Sequence, residues 1–170
     1  MKRYFTTSLA ILGLVAGMGT RQTFAQIRTE TFMFVSGIPG SSADANHPGW
    51  IDVVSLTQTL EEITKGRAQC SVKVAKFLDI AGPLLWAAAV SGQTFAEINI
   101  EVVAASSEIR FYQIRLQNAN VTSISTASHG AAFPMENVVV QAPSMTLTFW
   151  PLRPDGSLGT PVTSTLACTG

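Results

Sequence analysis

Two cysteines, Cys70 and Cys168, and two histidines, His47 and His129, are the side chains of this 170-residue sequence with most scope for covalent or acid–base chemistry. A Ser-His-Asp arrangement can be drawn from either histidine with Asp52 and one of many serines, but no Gly-x-Ser-x-Gly elbow supports it. Both histidines stand in Gly- or Pro-rich stretches and read as loop residues in solvent. Glu61 and Glu62 are adjacent, and neighbours on an extended chain point apart, so they read as solvated charge and not as an acid–base pair. Asp44, Asn46 and His47 are close in sequence but lack the glycine and glutamate positions of a calcium loop. Neither cysteine has a second Cys or a His at zinc-ligand spacing. Asn120-Val121-Thr122 forms a glycosylation sequon. No phosphate-cradling glycine loop and no basic aromatic stripe occur, so the residues imply no catalytic group, metal, cofactor or nucleic acid.

The thiols take their meaning from the compartment. Lys2 and Arg3 precede an apolar run from Phe5 to Val15, and Thr23-Phe24-Ala25 supplies small residues for cleavage between Ala25 and Gln26. Residues 1–25 therefore read as a cleaved secretory signal, and 26–170 as a single exported domain, periplasmic or extracellular. Its removal takes away three of the eleven basic residues and leaves eight against eleven acidic ones, a net charge near −3. That balance attracts neither nucleic acid nor an anionic membrane. In an oxidising compartment an even pair of cysteines favours a bridge. An intrachain Cys70–Cys168 bond would close a long loop and contribute on the order of 4 kcal/mol in the chain-entropy account. Two free thiols and a link between subunits are the alternatives.

The elements around these residues are mostly strands. Phe32 to Ser36 alternates before the turn chemistry of Gly37 to Ser42. Trp50 to Leu56 carries large apolar residues on both faces, which predicts a strand covered on both sides. From Thr57 to Gln69 the chain is polar and charged, a long connection for so small a domain. Val72, Val74 and Leu78 then restore alternation against Lys73 and Lys76. Leu84 to Val90, with Pro83 in the opening turn and Gly92 as terminator, predicts one helix of about three turns. It is apolar nearly all round, so it should be buried between the sheet and a neighbour. Ala96, Ile98, Ile100 and Val102 alternate with Glu97, Asn99 and Glu101. The next strand slips phase at Phe111-Tyr112, the signature of a bulge, and runs on through Val121 to Ser125. Pro154-Asp155-Gly156 reads as a turn before a last strand near Val162 to Cys168. About seven strands with one helix predict a mainly β fold, a barrel or sandwich with a short helix packed outside.

Phe133-Pro134-Met135-Glu136-Asn137-Val138-Val139-Val140, leading into Ser144-Met145-Thr146-Leu147-Thr148-Phe149-Trp150-Pro151, reads as one long sheet element. This run resembles the last long strands of the hemolysin-coregulated proteins (Hcp), the inner-tube subunits of type VI secretion systems. Trp50-Ile51-Asp52-Val53 is similar to that family's Ile-Asp-Val strand. Phe77-Leu78-Asp79 with the helix after Pro83, Gly92 to Ile98, and Val121 to Thr126 resemble further pieces in the same order, so the likeness spans Thr31 to about Thr165. It implies a β-barrel subunit that packs into rings, usually hexameric, which stack into a hollow tube. It also implies that the segment holding Glu61, Glu62, Lys65 and Arg67 is an extended assembly loop reaching towards the next ring. Partners would be further copies of the chain, with secreted effector or spike proteins beyond them. The signal peptide departs from the family, whose members assemble in the cytoplasm, and suggests a tube or filament formed outside the inner membrane. An exported monomeric β-sandwich that binds a glycan or protein, with Trp150 as a contact, is the competing reading.

Overall fold

The structure, a computed structural model, describes residues 28–169 other than His129, Ala131 and Pro154. The leader with its Ala25–Gln26 cleavage point and the loop histidine His129 thus lie outside the described residues.

Among the described residues, nine strands and one helix follow in order. They are β1 (Thr29–Val35), β2 (Ile51–Val53), β3 (Ser55–Thr64), β4 (Arg67–Phe77), α1 (Ala81–Ser91), β5 (Thr94–Ala104), β6 (Ile109–Ala127), β7 (Met135–Gln141), β8 (Ser144–Phe149) and β9 (Val162–Ala167). Each strand pairs antiparallel with its neighbours, along the path β2-β1-β5-β6-β7-β4-β3. β8 branches from β6, and β9 lies on β8. The two ends of the path, β2 and β3, are separated in sequence by Val54 alone, whose N–H donates to the Ala75 carbonyl of β4 at 2.7 Å. The sheet therefore curls round until its ends meet. Its interior is filled by alternate residues of β1, β4, β5, β6 and β7, among them Met33, Val35, Val72, Val74, Ile98, Ile100, Ile114, Leu116, Val138 and Val140.

The count of nine, against about seven expected, has two sources. The run from Phe133 to Pro151 is two strands: β7 pairs with Asn120–Ala127 and β8 with Tyr112–Gln117, so they follow one another along the single 19-residue strand β6. The run from Trp50 to Leu56 is also two. Ile51 and Val53 face inward against β1; at Val54 the chain passes from β1 to β4, and Leu56 becomes the inward residue. A strand that changes partner changes the parity of its inward side chains. Apolar residues on both faces here record that change and not cover on both sides, since Val54 is exposed.

Elsewhere the periodicity translates directly. The slip at Phe111 is a bulge: Tyr112 opposes Val102 and Arg110 opposes Val103, leaving Phe111 unpaired with β5. The helix ends at Gly92, whose φ of 66° is the left-handed conformation glycine accepts without strain, and its N–H donates to the Ala88 carbonyl. The helix begins at Ala81, with Pro83 in its first turn, where its missing N–H has no intrahelical partner to lose. Only one stripe of it is covered by the sheet: Ala81, Gly82, Leu85 and Ala88 are buried, while Leu84 and Val90 are exposed. The sheet thus covers one side of the helix, and an apolar outer face remains.

Candidate functional site

Three features could carry function: the polar connection after Ser55, the loop holding His47, and the surface at the start of α1. The first is a hairpin and not a loop. Glu61 and Glu62 belong to β3, Arg67 opens β4, and Lys65-Gly66 make the turn, with Gly66 at φ 80°. β4 is paired with β7 only from Ser71 to Phe77. β3 and β4, however, stay paired out to Thr64↔Arg67, with a bulge at Ile63. Residues 60–70 therefore project beyond the body of the sheet as a two-stranded ribbon, roughly 15 Å of chain at 3.3 Å per residue. Glu61, Glu62, Lys65 and Arg67 are all exposed there, and so are Leu60 and Ile63, at 57 and 58%. Among the described residues, β3 has β4 as its one strand partner, and its other edge is open.

The root of this ribbon is tied to the chain end. Cys70 and Cys168 form a disulfide, with Cα atoms 5.6 Å apart across 98 residues. Beside it, the Thr169 N–H and hydroxyl both donate to the Ala68 carbonyl, at 2.8 and 3.1 Å, and the Cys168 N–H donates to the Pro143 carbonyl at 2.8 Å.

The opposite end of β4 is an apolar surface. Phe77 and Phe133 meet edge to face with centroids 6.1 Å apart, and the Leu78 N–H donates to the Pro134 carbonyl. Phe77, Leu78, Ile80, Leu84 and Phe133 are all exposed. Beneath them lies an ionic network centred on the fully buried Lys76 and Glu136, with Asp79 half-buried at its edge. Lys76 Nζ donates to Glu136 Oε2 at 2.7 Å and to the Phe77 carbonyl at 2.9 Å, and lies 2.6 Å from Asp79 Oδ1. Trp86 Nε1 and the Thr126 hydroxyl donate to Glu136 Oε1 at 3.2 and 3.3 Å. Asp79 Oδ1 also accepts the Ala81 N–H at the helix start, at 3.0 Å. A Cβ on Gly82 would lie 2.8 Å from Glu136 Oε2, so glycine is what lets α1 approach the carboxylate. The glutamate of the Glu-Asn-Val run thus pins helix to sheet. By parity Lys76 falls on the same inward side of β4 as Val72 and Val74, and not with Lys73 on the polar side, so the expected alternation is corrected at this residue.

His47 corrects the expectation of a solvent-exposed loop residue. It is 5% exposed, stacks on Phe32 with ring centroids 4.2 Å apart, and meets Trp50 edge-on at 4.9 Å. Its Nδ1 lies 2.7 Å from Asp44 Oδ1 and its Nε2 3.2 Å from Glu101 Oε2. Asp44 Oδ1 also accepts the N–H groups of Asn46 and His47, so the proximity of Asp44, Asn46 and His47 in sequence reflects a turn. Both ring nitrogens face carboxylates, and neither is left to take a proton from a serine. Asp52 is not among the partners of His47. Among the described residues no group of three His, Cys, Asp or Glu is placed to hold a metal ion.

Glu101 is the hub of this cluster. Burial works to raise its carboxyl but is outweighed by the Arg110 guanidinium at 2.6 Å, by His47 and by Asn99, which together hold it below the ordinary carboxylate range. Gln113 adds a fourth donor at 3.1 Å. Asp44 is likewise lowered, by its hydrogen bond to His47 first, against the opposing effect of burial. The Arg110 guanidinium also lies over the Trp150 ring, 4.8 Å from its centroid, so one face of this half-buried tryptophan is already covered. Asn120 lies mid-strand in β6, opposite both Thr94 and Gln141.

The described residues thus hold two ion clusters, a ribbon at one end and an apolar surface at the other. Residues 32–149 match the model of the family described as "Type VI secretion system effector, Hcp". Three solved structures share the fold. A type VI secretion system effector from Yersinia pestis is 19% identical, with TM-score 0.69 over 81% of this chain and 98% of that one. Hcp1 from Salmonella typhimurium is 16% identical, with TM-score 0.71 over 82% and 94%. The secreted protein Hcp3 from Pseudomonas aeruginosa is 19% identical, with TM-score 0.63 over 84% and 100%. No curated protein matches the chain in sequence.

Proposed function

Because this chain belongs to the Hcp family of type VI secretion system effectors, we propose that it is a non-enzymatic tube subunit whose copies close into rings of six and stack end to end into a hollow tube. The observation that carries the reading is the polarity of β4. Its outer end bears the projecting hairpin with Leu60 and Ile63, and its inner end, about 33 Å away for eleven extended residues, bears the apolar surface of Phe77, Leu78, Ile80 and Phe133. Two different surfaces at opposite ends of one strand suit a heterologous, head-to-tail contact between copies, the kind that propagates along an axis. Around the ring, the open edges of β3 and β9 are available to meet a neighbour, because each has one strand partner among the described residues.

Residues 1–25 act in this reading as a leader cleaved after Ala25, so the tube forms in the periplasm or outside the cell. Other copies are the first partners, with secreted effector or spike proteins carried in or on the tube. The competing monomeric binding module would use Trp150, which Arg110 partly covers.

Negative-stain electron microscopy of the chain expressed with its leader and purified from the exported fraction tests this across a range of concentrations. Rings and stacked tubes are the expected result, with an intact mass that begins at Gln26. A uniform monomer at every concentration would sink the tube and favour the binding module.

A further inference from the structure

We propose that the Cys70–Cys168 bond is a redox-gated staple: it aims the projecting hairpin, so the chain becomes competent to stack only after it reaches an oxidising compartment. The proposal deepens the tube reading and rests on it for the hairpin's role as the stacking contact.

The location of the bond is the argument. β4 loses its β7 partner at Ser71, which opposes Gln141, the last residue of β7. The next residue outward is Cys70, 1% exposed and opposite Leu60. Beyond that point the ribbon has no third strand, and an isolated two-stranded hairpin is marginally stable at best in water. Cys168 follows the last residue of β9, a strand that is itself exposed along most of its length and held by β8 alone. One covalent bond therefore joins two parts of the sheet that each have a single strand partner among the described residues, at the point where the ribbon leaves it. Without the bond, the chain end holds the ribbon's root through a single acceptor, the Ala68 carbonyl. Cys168 also lies outside residues 32–149, so the staple couples the family-matching body to a segment beyond it.

Forming the bond removes two protons and two electrons from the Cys70 and Cys168 thiols. The acceptor is a protein disulfide or a small-molecule disulfide, which leaves as two thiols, with a mixed disulfide as the intermediate. Such acceptors prevail outside the cytoplasm, while thioredoxin- and glutathione-type reductants keep thiols reduced within it. A chain whose hairpin is loose before export and fixed after it is prevented from stacking on the wrong side of the membrane.

The test compares the exported, processed chain in its oxidised form, the same protein reduced with a phosphine under anaerobic conditions, and the Cys70→Ser/Cys168→Ser double variant. Hydrogen exchange is read at residues 60–70 and in β5 and β6, and assembly by sedimentation velocity. The expected result is that loss of the bond speeds exchange at 60–70 by about tenfold or more, leaves β5 and β6 protected, and abolishes stacking. Equal exchange at 60–70 in oxidised and reduced protein overturns the staple. Stacking of the reduced protein overturns the gate. Failure of the oxidised protein to stack is a separate result that defeats the tube reading and the gate together, while exchange at 60–70 still decides the staple. Reduction of the folded protein keeps the test intact should the double variant not fold.

Discussion

The two ends of β4 solve opposite problems with the same kind of residue. At one end Lys76 is wholly buried, and every polar group near it is matched by Glu136, Asp79 or a carbonyl. At the other end Arg67 and Lys65 stand in solvent with Glu61 and Glu62, and no ion pair joins them among the described residues. The buried end resists change because a charge removed from water must be paired. The exposed end is free to vary and free to meet a partner. The difference teaches that the buried ion network and the projecting hairpin lie apart along one strand, so stability and any contact made by the hairpin should be separable by mutation.

The sharpest way to break that contrast is at Glu136. Glu136→Ala should destabilise the chain by about 3–5 kcal/mol, because it leaves the buried Lys76 with one of its two carboxylate partners and strands the Trp86 N–H. Urea unfolding followed by tryptophan fluorescence measures it. If the cost is that of an unpaired charge and not of the missing bond itself, Lys76→Met/Glu136→Leu should recover a large part of the loss. A double variant no better than the single would show that the network contributes more than mutual neutralisation.

A smaller effect comes from Gly82, the residue that lets the helix reach Glu136. In Gly82→Ala the added methyl would meet Oε2 at 2.8 Å and Oε1 at 3.0 Å, so helix or carboxylate must shift. About 1–3 kcal/mol is expected, the range for overpacking, despite alanine's better helix propensity. A stabilised variant in thermal unfolding would mean that the carboxylate moves aside freely and the pinning is loose.

The cluster around Glu101 tests the contrast where burial is partial. Its carboxyl is held below the ordinary value of 4.5, chiefly against burial and by Arg110 and His47. A lowered carboxyl adds stability above its unfolded value, and that stability is lost as pH falls through the folded one. Wild-type stability should therefore decline from about pH 4.5 downward. Glu101→Gln should be less stable at neutral pH and show a shallower acid limb. Identical acid limbs in thermal melts between pH 7 and 3 would remove Glu101 from the account.

How much of this was legible in the sequence depends on whether a residue's surroundings are local. The strict alternation of Ile98 and Ile100 against Glu97, Asn99 and Glu101, the bulge at Phe111, and the Gly92 stop are written in neighbouring residues, and all can be read from them. The partner change at Val54 was not legible, since it looks like a strand buried on both faces. His47 was misread for a related reason: its two carboxylates come from three residues earlier and from β5, 54 residues away, and Phe32 closes over it from a third element. Lys76 shares the inward parity of Val72 and Val74 and has Asp79 three residues on, but its buried partner Glu136 lies 60 residues downstream. The polar run after Ser55 looked like a loop because a ribbon exposed on both faces has no apolar period to announce its strands.

If the hairpin is the stacking contact proposed above, that last property makes it the place of least effect on folding and greatest effect on association. Leu60 and Ile63 are more than half exposed and touch no core cluster, so Leu60→Ser/Ile63→Ser should change monomer stability by only about 0.5 kcal/mol. The same pair removes the apolar anchors that a neighbouring copy could bury at the Phe77, Leu78, Ile80 and Phe133 surface, where desolvated hydrophobic contact supplies most of an interface's energy. Sedimentation velocity should therefore show the double variant as unstacked subunits or single rings at concentrations where wild type forms tubes, with superimposable urea curves. Phe133→Ser, at the other end of the molecule, should produce the same assembly defect, and mixing the two variants should yield short stacks that terminate where two defective ends face each other. Tubes of normal length from the Leu60→Ser/Ile63→Ser protein would place the stacking contact elsewhere and leave the ribbon as an ornament of the fold.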